Sequence, residues 1–334
     1  MVVVVGAGSW GTTLANLLAE KNNLPVTLWV REPELLEIIK KERVNTHYLP
    51  MAKLSDNLQL TSDLCIVKQA DVVVMAVPSS YMRSMAQKIA ALGVQDKIFV
   101  SCAKGLEDGT FLRMSEILAQ ELPNNKVAAL SGPNHAESVS AKDPTATVLA
   151  CEYAAVADKL QEMFSNDYFR PYTNNDIIGV ELAGSFKNII ALSSGVLIGL
   201  GYGDNTIAAL MTRGLFEIAR LGIAMGAQAH TFSGLAGVGD LMVTCMSKHS
   251  RNRRAGEALG SGKTLQEILA GTNMVVEGVR ATQIAHQLAK KYEIQMPITD
   301  KLYELLYENK TAEQAIRELM QRDFKREEEF VEII

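Results

Sequence analysis

A basic excess is missing from this 334-residue chain: 33 Lys and Arg stand against 38 Asp and Glu, a formal net charge of −5. A general nucleic-acid binder needs a cationic surface, so that class is set aside. Cysteine is sparse. Cys65, Cys102, Cys151 and Cys245 lie far apart with no C-x-x-C pair, which fits a reducing cytoplasm and supplies no zinc framework. The five histidines are scattered and none belongs to an H-E-x-x-H motif, so no metal is expected. A basic leader with a cleavage site is also lacking, since the chain opens directly on Met1-Val-Val-Val-Val5. Long apolar runs are short of a membrane span. Within residues 182–203 the uncharged part after Lys187 covers about sixteen residues, against a need of roughly 20, and it reads as a buried helix.

What is present is an ordinary globular composition, with 48% hydrophobic and 21% charged residues. The length suggests about two domains. In the first half, β-branched runs at 2–5, 25–31, 58–60, 71–77, 97–101, 126–130, 145–150 and 169–172 alternate with helical patterns such as 12–20, 80–91 and 110–121. Such alternation predicts an α/β fold, a mainly parallel sheet covered on both faces. From Asp176 onward the pattern is helical, at 176–200, 206–225, 265–270, 277–290 and 298–307. The expected division is a Rossmann-type dinucleotide-binding domain over 1–175 and an all-helical substrate-binding domain over 176–334. The charged tail at 322–332 reads as a solvated terminal helix.

Gly6-Ala-Gly8-Ser-Trp-Gly11 matches G-x-G-x-x-G, follows a four-valine strand and opens a helical pattern. In that setting the glycines serve a tight turn, close approach to a pyrophosphate, and helix–strand packing, with N–H groups at the helix start facing the anion. Arg31 ends the second strand, twenty residues beyond Gly11, where an NAD-selective site usually carries an acid. An arginine there suits a 2′-phosphate, so NADPH is expected to serve at least as well as NADH. The competing reading leaves Arg31 solvated with Glu32 turned inward.

Ligands of open α/β sheets bind beyond the strand carboxyl ends. Val77-Pro78-Ser79, Ala103-Lys104-Gly105 and Ser131-Gly132-Pro133-Asn134 fall there. A lysine after a strand is more often a solvated loop residue than a catalyst. Lys187, in an apolar helix, either snorkels to the surface or is placed for proton transfer. Gly234-Leu-Ala-Gly-Val-Gly-Asp240 reads as a shaped loop, with Asp240 able to hold a lysine. Ser250-Arg251-Asn252 offers a hydroxyl, a guanidinium and an amide, a set suited to a phosphate monoester, although a solvated basic turn is the plainer alternative.

Taken in order, GAGSWGTTLA, LWVREPE, NxxYLP at residues 45–50, AVPS, CAKGLE, SGPNHAESV, VELAGSFKNIIAL, GLAGVGDLMVTC, SRNRRAG and VVEGV span the whole chain. The chain resembles bacterial-type NAD(P)-dependent glycerol-3-phosphate dehydrogenase. The resemblance implies reversible reduction of dihydroxyacetone phosphate to sn-glycerol 3-phosphate with NADPH or NADH, for phospholipid synthesis. Ser9, Trp10, Arg31, Ala136, Val275 and Glu277 match cofactor contacts, beside the Gly6, Gly8 and Gly11 loop. Lys187 matches the proton donor and acceptor. Lys104, Gly132, Asp240, Ser250, Arg251 and Asn252 match substrate-side residues, with Lys104 and Arg251 also near the cofactor, and Thr244 lies in the same segment. Asn134 stands where many members carry Ser or Thr, which leaves its partner open. Asp240 would orient Lys187, and Lys104 would add positive potential. A cytoplasmic homodimer without metal, nucleic acid or membrane is the expected setting. Another two-domain dehydrogenase, or a non-catalytic nicotinamide sensor, would share the glycine loop but would not be expected to carry the later motifs together.

Overall fold

The computed structural model describes residues 1–21, 24–270, 276–324 and 326–327, and the chain divides into two compact units, Met1–Ile177 and Ile178–Ile334. Among the described residues the first unit holds ten strands: β1 (Val2–Val5), β2 (Val26–Trp29), β3 (Val44–Asn45), β4 (Leu49–Lys53), β5 (Leu58–Thr61), β6 (Val72–Met75), β7 (Ile98–Ser101), β8 (Lys126–Ser131), β9 (Thr145–Ala150) and β10 (Phe169–Asn174). Eight form one sheet in the order β10-β9-β8-β7-β6-β1-β2-β5. All pairings in it are parallel except β8 with β9. Every strand expected from the sequence is there. The small antiparallel hairpin of β3 and β4 was not expected. Its first strand has two residues, and Pro50 and Met51 are both exposed, so no alternating pattern announces it.

The helices of this unit are α1 (Ser9–Glu20), α2 (Pro33–Glu42), α3 (Met82–Ala90), α4 (Met114–Glu121), α5 (Ala136–Ser140) and α6 (Ala154–Phe164). They explain the unbroken valine runs. Val2, Val4, Val72 and Val74 share a core with Leu14, Leu17 and Leu18 of α1 and Leu160 of α6. Val3, Val5, Val73 and Met75 share the opposite core with Met85 and Ile89 of α3 and Ile117 of α4. A central strand buried on both faces has no solvated side for polar residues. The chain leaves β1 toward β2 on one side and resumes at β6 on the other. The carboxyl ends of β1 and β6 thus form the switch point at which open α/β sheets bind ligands.

The second unit comprises α7 (Ile177–Gly199), which begins one residue before the division, α8 (Asp204–Ala224), α9 (Ala229–Phe232), α10 (Asp240–Met246), α11 (Arg251–Gly260), α12 (Leu265–Ala270), α13 (Glu277–Lys291), α14 (Pro297–Tyr307) and α15 (Ala312–Met320), with no strand among its described residues. Helix α7 is apolar and long enough to cross a membrane, yet 89% of its most apolar window is buried within the protein, as a core helix requires. The segment read as a loop from Gly234 is instead helical. Leu235–Gly239 makes one π-helical turn and Asp240 opens α10. Gly237 permits this, because a Cβ there would lie 1.9 Å from the Phe232 carbonyl oxygen. The predicted tail helix is also corrected: α15 ends at Met320 and residues 322–324 are not helical, while residues 325 and 328–334 lie outside the described residues.

Candidate active site

Gly6, at a φ of +115°, begins the loop after β1, and a Cβ on it would stand 2.9 Å from the Ala76 oxygen after β6. A Cβ on Gly11 would stand 1.9 Å from the Gly6 oxygen. Both positions are closed to side chains by protein atoms. Gly8 differs, since a Cβ there would meet no protein atom within 4 Å. Its bareness therefore serves no internal packing and suits a ligand approaching the backbone. Helix α1 begins at Ser9 with no side-chain cap and no acid in its first turn. Uncapped N–H groups at the positive end of a twelve-residue helix favour an anion. The loop thus fits a dinucleotide pyrophosphate. Trp10 packs toward the Phe169 ring at 6.4 Å. Thr13 donates to the Ser9 oxygen at 2.9 Å and reaches the Ala136 oxygen at 3.4 Å, which brings α5 beside the same helix.

Arg31 lies just beyond β2 with an exposed side chain, its Nε donating to Glu32 Oε1 at 2.8 Å. Both side chains are well exposed, so Arg31 is solvated as the competing reading has it, but Glu32 pairs with it at the surface and is not turned inward.

At the ends of β7 and β8 a polar cluster forms around Lys104. Its Nζ donates to the Gly132 oxygen at 3.1 Å and to Asn134 Oδ1 at 3.3 Å. The Asn134 Nδ2 donates to Thr147 Oγ1 at 2.9 Å, and the Thr147 hydroxyl donates to the Ser131 oxygen at 2.9 Å. The single Thr147 proton is thereby spent, so Thr147 can only accept from Asn134, and the amide must turn its oxygen toward Lys104. This supplies the Asn134 partner. Gly132 has a φ of +140°, and a Cβ there would sit 3.0 Å from Thr147 Oγ1. Only glycine is comfortable in that position.

In the second unit, Lys187 on α7 is 3% exposed and Asp240 on α10 is 0% exposed. The Lys187 ammonium is hydrogen-bonded and ion-paired to Asp240, and it donates to Thr244 Oγ1 at 2.7 Å. Thr244 donates its own proton to the Asp240 carbonyl at 2.6 Å, leaving its lone pairs toward the amine. Residues 240 and 244 are one helical turn apart, so α10 presents both on one face. Lys187 is therefore buried and held, not snorkelling. Burial pushes the nearby Cys245 thiol up to about 12, and does the same for Cys102 near Lys104. Neither is a thiolate at neutral pH, so cysteine chemistry is not part of this arrangement.

Helix α11 starts beside α7 through a crossing with no side chains in it. A Cβ on Gly195 would lie 2.0 Å from the Arg253 oxygen, one on Gly199 2.3 Å from the Glu257 oxygen, and one on Gly256 2.0 Å from the Leu192 oxygen. The close approach brings the start of α11 to Asn188. There Asn252 Nδ2 donates to Asn188 Oδ1 at 2.9 Å, Asn252 Oδ1 accepts from the Gly278 N–H at 2.8 Å, and Asn188 Nδ2 donates to Glu277 Oε2 at 3.2 Å. Ser250 is the cap of α11, accepting from the Arg253 N–H at 3.3 Å. Of the three groups that the sequence offers to a phosphate, two thus have internal partners, while Arg251 is exposed. Val275 lies outside the described residues.

Sequence reasoning missed Asn188, Thr147 and Asn45. Each is a buried polar residue, and such groups need partners; Asn188 and Thr147 stand in apolar runs, while Asn45, among polar neighbours, does not. That need was the available signal, but it does not name the partner.

The N-terminal model of the NAD-dependent glycerol-3-phosphate dehydrogenases matches residues 1–157 and the C-terminal model matches residues 176–317. The chain belongs to this family. Among its relatives, the glycerol-3-phosphate dehydrogenase (NAD(P)+) of Enterococcus faecalis is 49% identical over 333 residues, covering 98% of each chain. The crystal structure of glycerol-3-phosphate dehydrogenase from Coxiella burnetii superposes with a TM-score of 0.90 at 38% identity, covering 96% of this chain and 98% of that one. The Saccharomyces cerevisiae glycerol-3-phosphate dehydrogenase gives 0.85 at 28% identity, covering 96% and 99%. Within the glycerol-3-phosphate dehydrogenase family framework, the glycine loop, Arg31 and the Lys104 cluster fall in the N-terminal match, and Lys187, Asp240 and Arg251 fall in the C-terminal match.

Proposed function

We propose that this protein interconverts dihydroxyacetone phosphate and sn-glycerol 3-phosphate with NADPH or NADH, the first unit binding the dinucleotide and the second contributing the proton-transfer group. The observation that carries the reading is the buried Lys187 ammonium, held by Asp240 and Thr244 in a chain of this family. The reduced nicotinamide, when bound, supplies a hydride to the carbonyl carbon. Lys187 gives a proton to the carbonyl oxygen as it becomes an alkoxide, and takes it back in the reverse direction. Asp240 and Thr244 fix the direction of that amine. Lys104, steadied by Gly132 and Asn134, adds positive charge where the alkoxide develops. Arg251 binds the substrate phosphate, so that binding energy remote from the reacting carbon positions the ketone.

The reading extends to a homodimer in the cytoplasm that feeds phospholipid synthesis. Exposed apolar side chains on the helical unit, Met242 and Met320 among them, support the dimer, and sedimentation equilibrium tests it. The activity itself is tested by NADPH absorbance with dihydroxyacetone phosphate, unphosphorylated dihydroxyacetone or a β-keto acid. Oxidation only with the first is the expected result. Equal turnover of dihydroxyacetone would remove the phosphate role of Arg251, and turnover of the keto acid alone would replace the function.

A further inference from the structure

Asn45 belongs to the hairpin of β3 and β4, far in sequence from the glycine loop, and is 0% exposed. Its Nδ2 donates to the Ala7 oxygen at 2.8 Å and to Thr12 Oγ1 at 2.8 Å, and its Oδ1 accepts from the Tyr48 N–H at 3.2 Å. The Thr12 hydroxyl also reaches the Ala7 oxygen, at 3.3 Å. Reversing the amide would set its oxygen against the Ala7 carbonyl and its N–H groups against the Tyr48 N–H, so the orientation is determined. Ala7 lies between the first two glycines of the loop, and its carbonyl is turned inward by two donors.

That inward turn has an outward consequence. The peptide bonds are trans, and in a trans peptide C=O and N–H point in opposite directions. With the Ala7 oxygen held by Asn45, the Gly8 N–H is aimed away from Asn45. Glycine at position 8 is what allows a ligand near the backbone, yet it also makes rotation of the Ala7–Gly8 peptide plane easy. A rotated plane would present a carbonyl oxygen to an anion.

We propose that Asn45 is a positioning residue that locks the Ala7–Gly8 peptide with its N–H toward the ligand, so that the hairpin sets the affinity of the glycine loop for pyrophosphate. The inference rests on the reading that the first unit binds a dinucleotide. Its probe is Asn45→Asp, which keeps the acceptor for Tyr48 and loses the donors to Ala7 and Thr12. Calorimetry compares NADPH, ADP, and 2′-AMP, which carries a ribose phosphate but no pyrophosphate. Affinity for NADPH and ADP should fall at least tenfold while that for 2′-AMP changes less than twofold. An equal loss for all three, or wild-type affinity for ADP in the folded variant, overturns the proposal. Should Asn45→Asp not fold, Thr12→Val removes one of the two donors to Ala7, and about a threefold loss for ADP is expected, with none overturning it. In the wild type, ADP should slow hydrogen exchange at the Gly8 amide; binding of ADP with no such protection refutes the lock whatever the variants do. If the folded wild type binds neither NADPH nor ADP, the dinucleotide reading itself fails, a result distinct from the loss of selectivity in a variant.

Discussion

Gly195 and Gly256 face each other where α7 crosses α11, and neither has room for a methyl group. A Cβ on Gly256 would come within 2.8 Å of the Gly195 Cα as well as 2.0 Å from the Leu192 oxygen. The obstruction is backbone, so no side chain can move aside. Gly195→Ala or Gly256→Ala should cost about 3 kcal/mol or more, read by chemical denaturation. Gly203→Ser, at a helix start where a Cβ meets nothing, should be neutral or slightly stabilising. Because the same crossing seats Asn252 and Arg251, any folded alanine variant should also raise KM for the phosphorylated ketone.

Lys187 and Asp240 can be separated into structural and chemical roles. Lys187→Met leaves the Asp240 charge buried without its ammonium, and loss of one member of a buried pair typically costs about 3–5 kcal/mol. Pairing it with Asp240→Asn should recover much of that stability. Activity should not return: kcat should stay down by roughly 10²–10⁴ in the double variant, the range for a lost general acid. Stopped-flow turnover and thermal melts on both variants check this, and recovered turnover would remove Lys187 from the chemistry.

Glu217 on α8 is another buried carboxylate, unrelated to that pair. It accepts from the Ile298 N–H at 2.7 Å and from the Thr299 N–H at 3.2 Å, closing the start of α14. Burial pushes its pKa from an ordinary 4.5 up to about 7, despite those hydrogen bonds and the nearby Arg220 charge. The folded protein therefore binds this proton more tightly than the unfolded chain. Its contribution to stability is fully present below pH 4.5 and is lost as pH rises through about 7. The loss is on the order of 3 kcal/mol. Denaturation of the wild type minus that of Glu217→Gln, across this interval, should show that slope, and a flat difference would refute it.

Thr147 is linked to Lys104 through Asn134. Thr147→Val keeps the shape, removes the acceptor for the Asn134 amide and frees it to turn its N–H groups toward the ammonium. KM for dihydroxyacetone phosphate should rise about tenfold, an unpaired buried group costing roughly 1–3 kcal/mol. NADPH affinity should be little changed, and Thr147→Ser should restore KM. A uniform loss of stability with unchanged kinetics would leave Thr147 a packing residue.

Read alone, the amino-acid order determined the eight strands of the main sheet, the longest helices of the second unit and the glycine loop, because these rest on short-range regularities, while the β3–β4 hairpin and helices such as α2, α6 and α10 were not read from it. A four-valine run is buried on both sides, and Gly6, Gly8 and Gly11 sit at the start of a helix whatever lies beyond them. It also singled out Lys104, Lys187 and Asp240 as residues needing explanation. What only the tertiary structure decided is which polar group each one meets. Asn45 finds Ala7 from 38 positions away, Lys187 finds Asp240 across 53, and Asn252 finds Asn188 across 64. Ser250 and Asn252, offered by their spacing to a phosphate, turn out to be engaged by the Arg253 N–H and by Asn188. Hydrogen bonds are directional and act over about 3 Å, so their partners are selected by how helices cross, and local sequence carries no record of a crossing that depends on glycines at both ends.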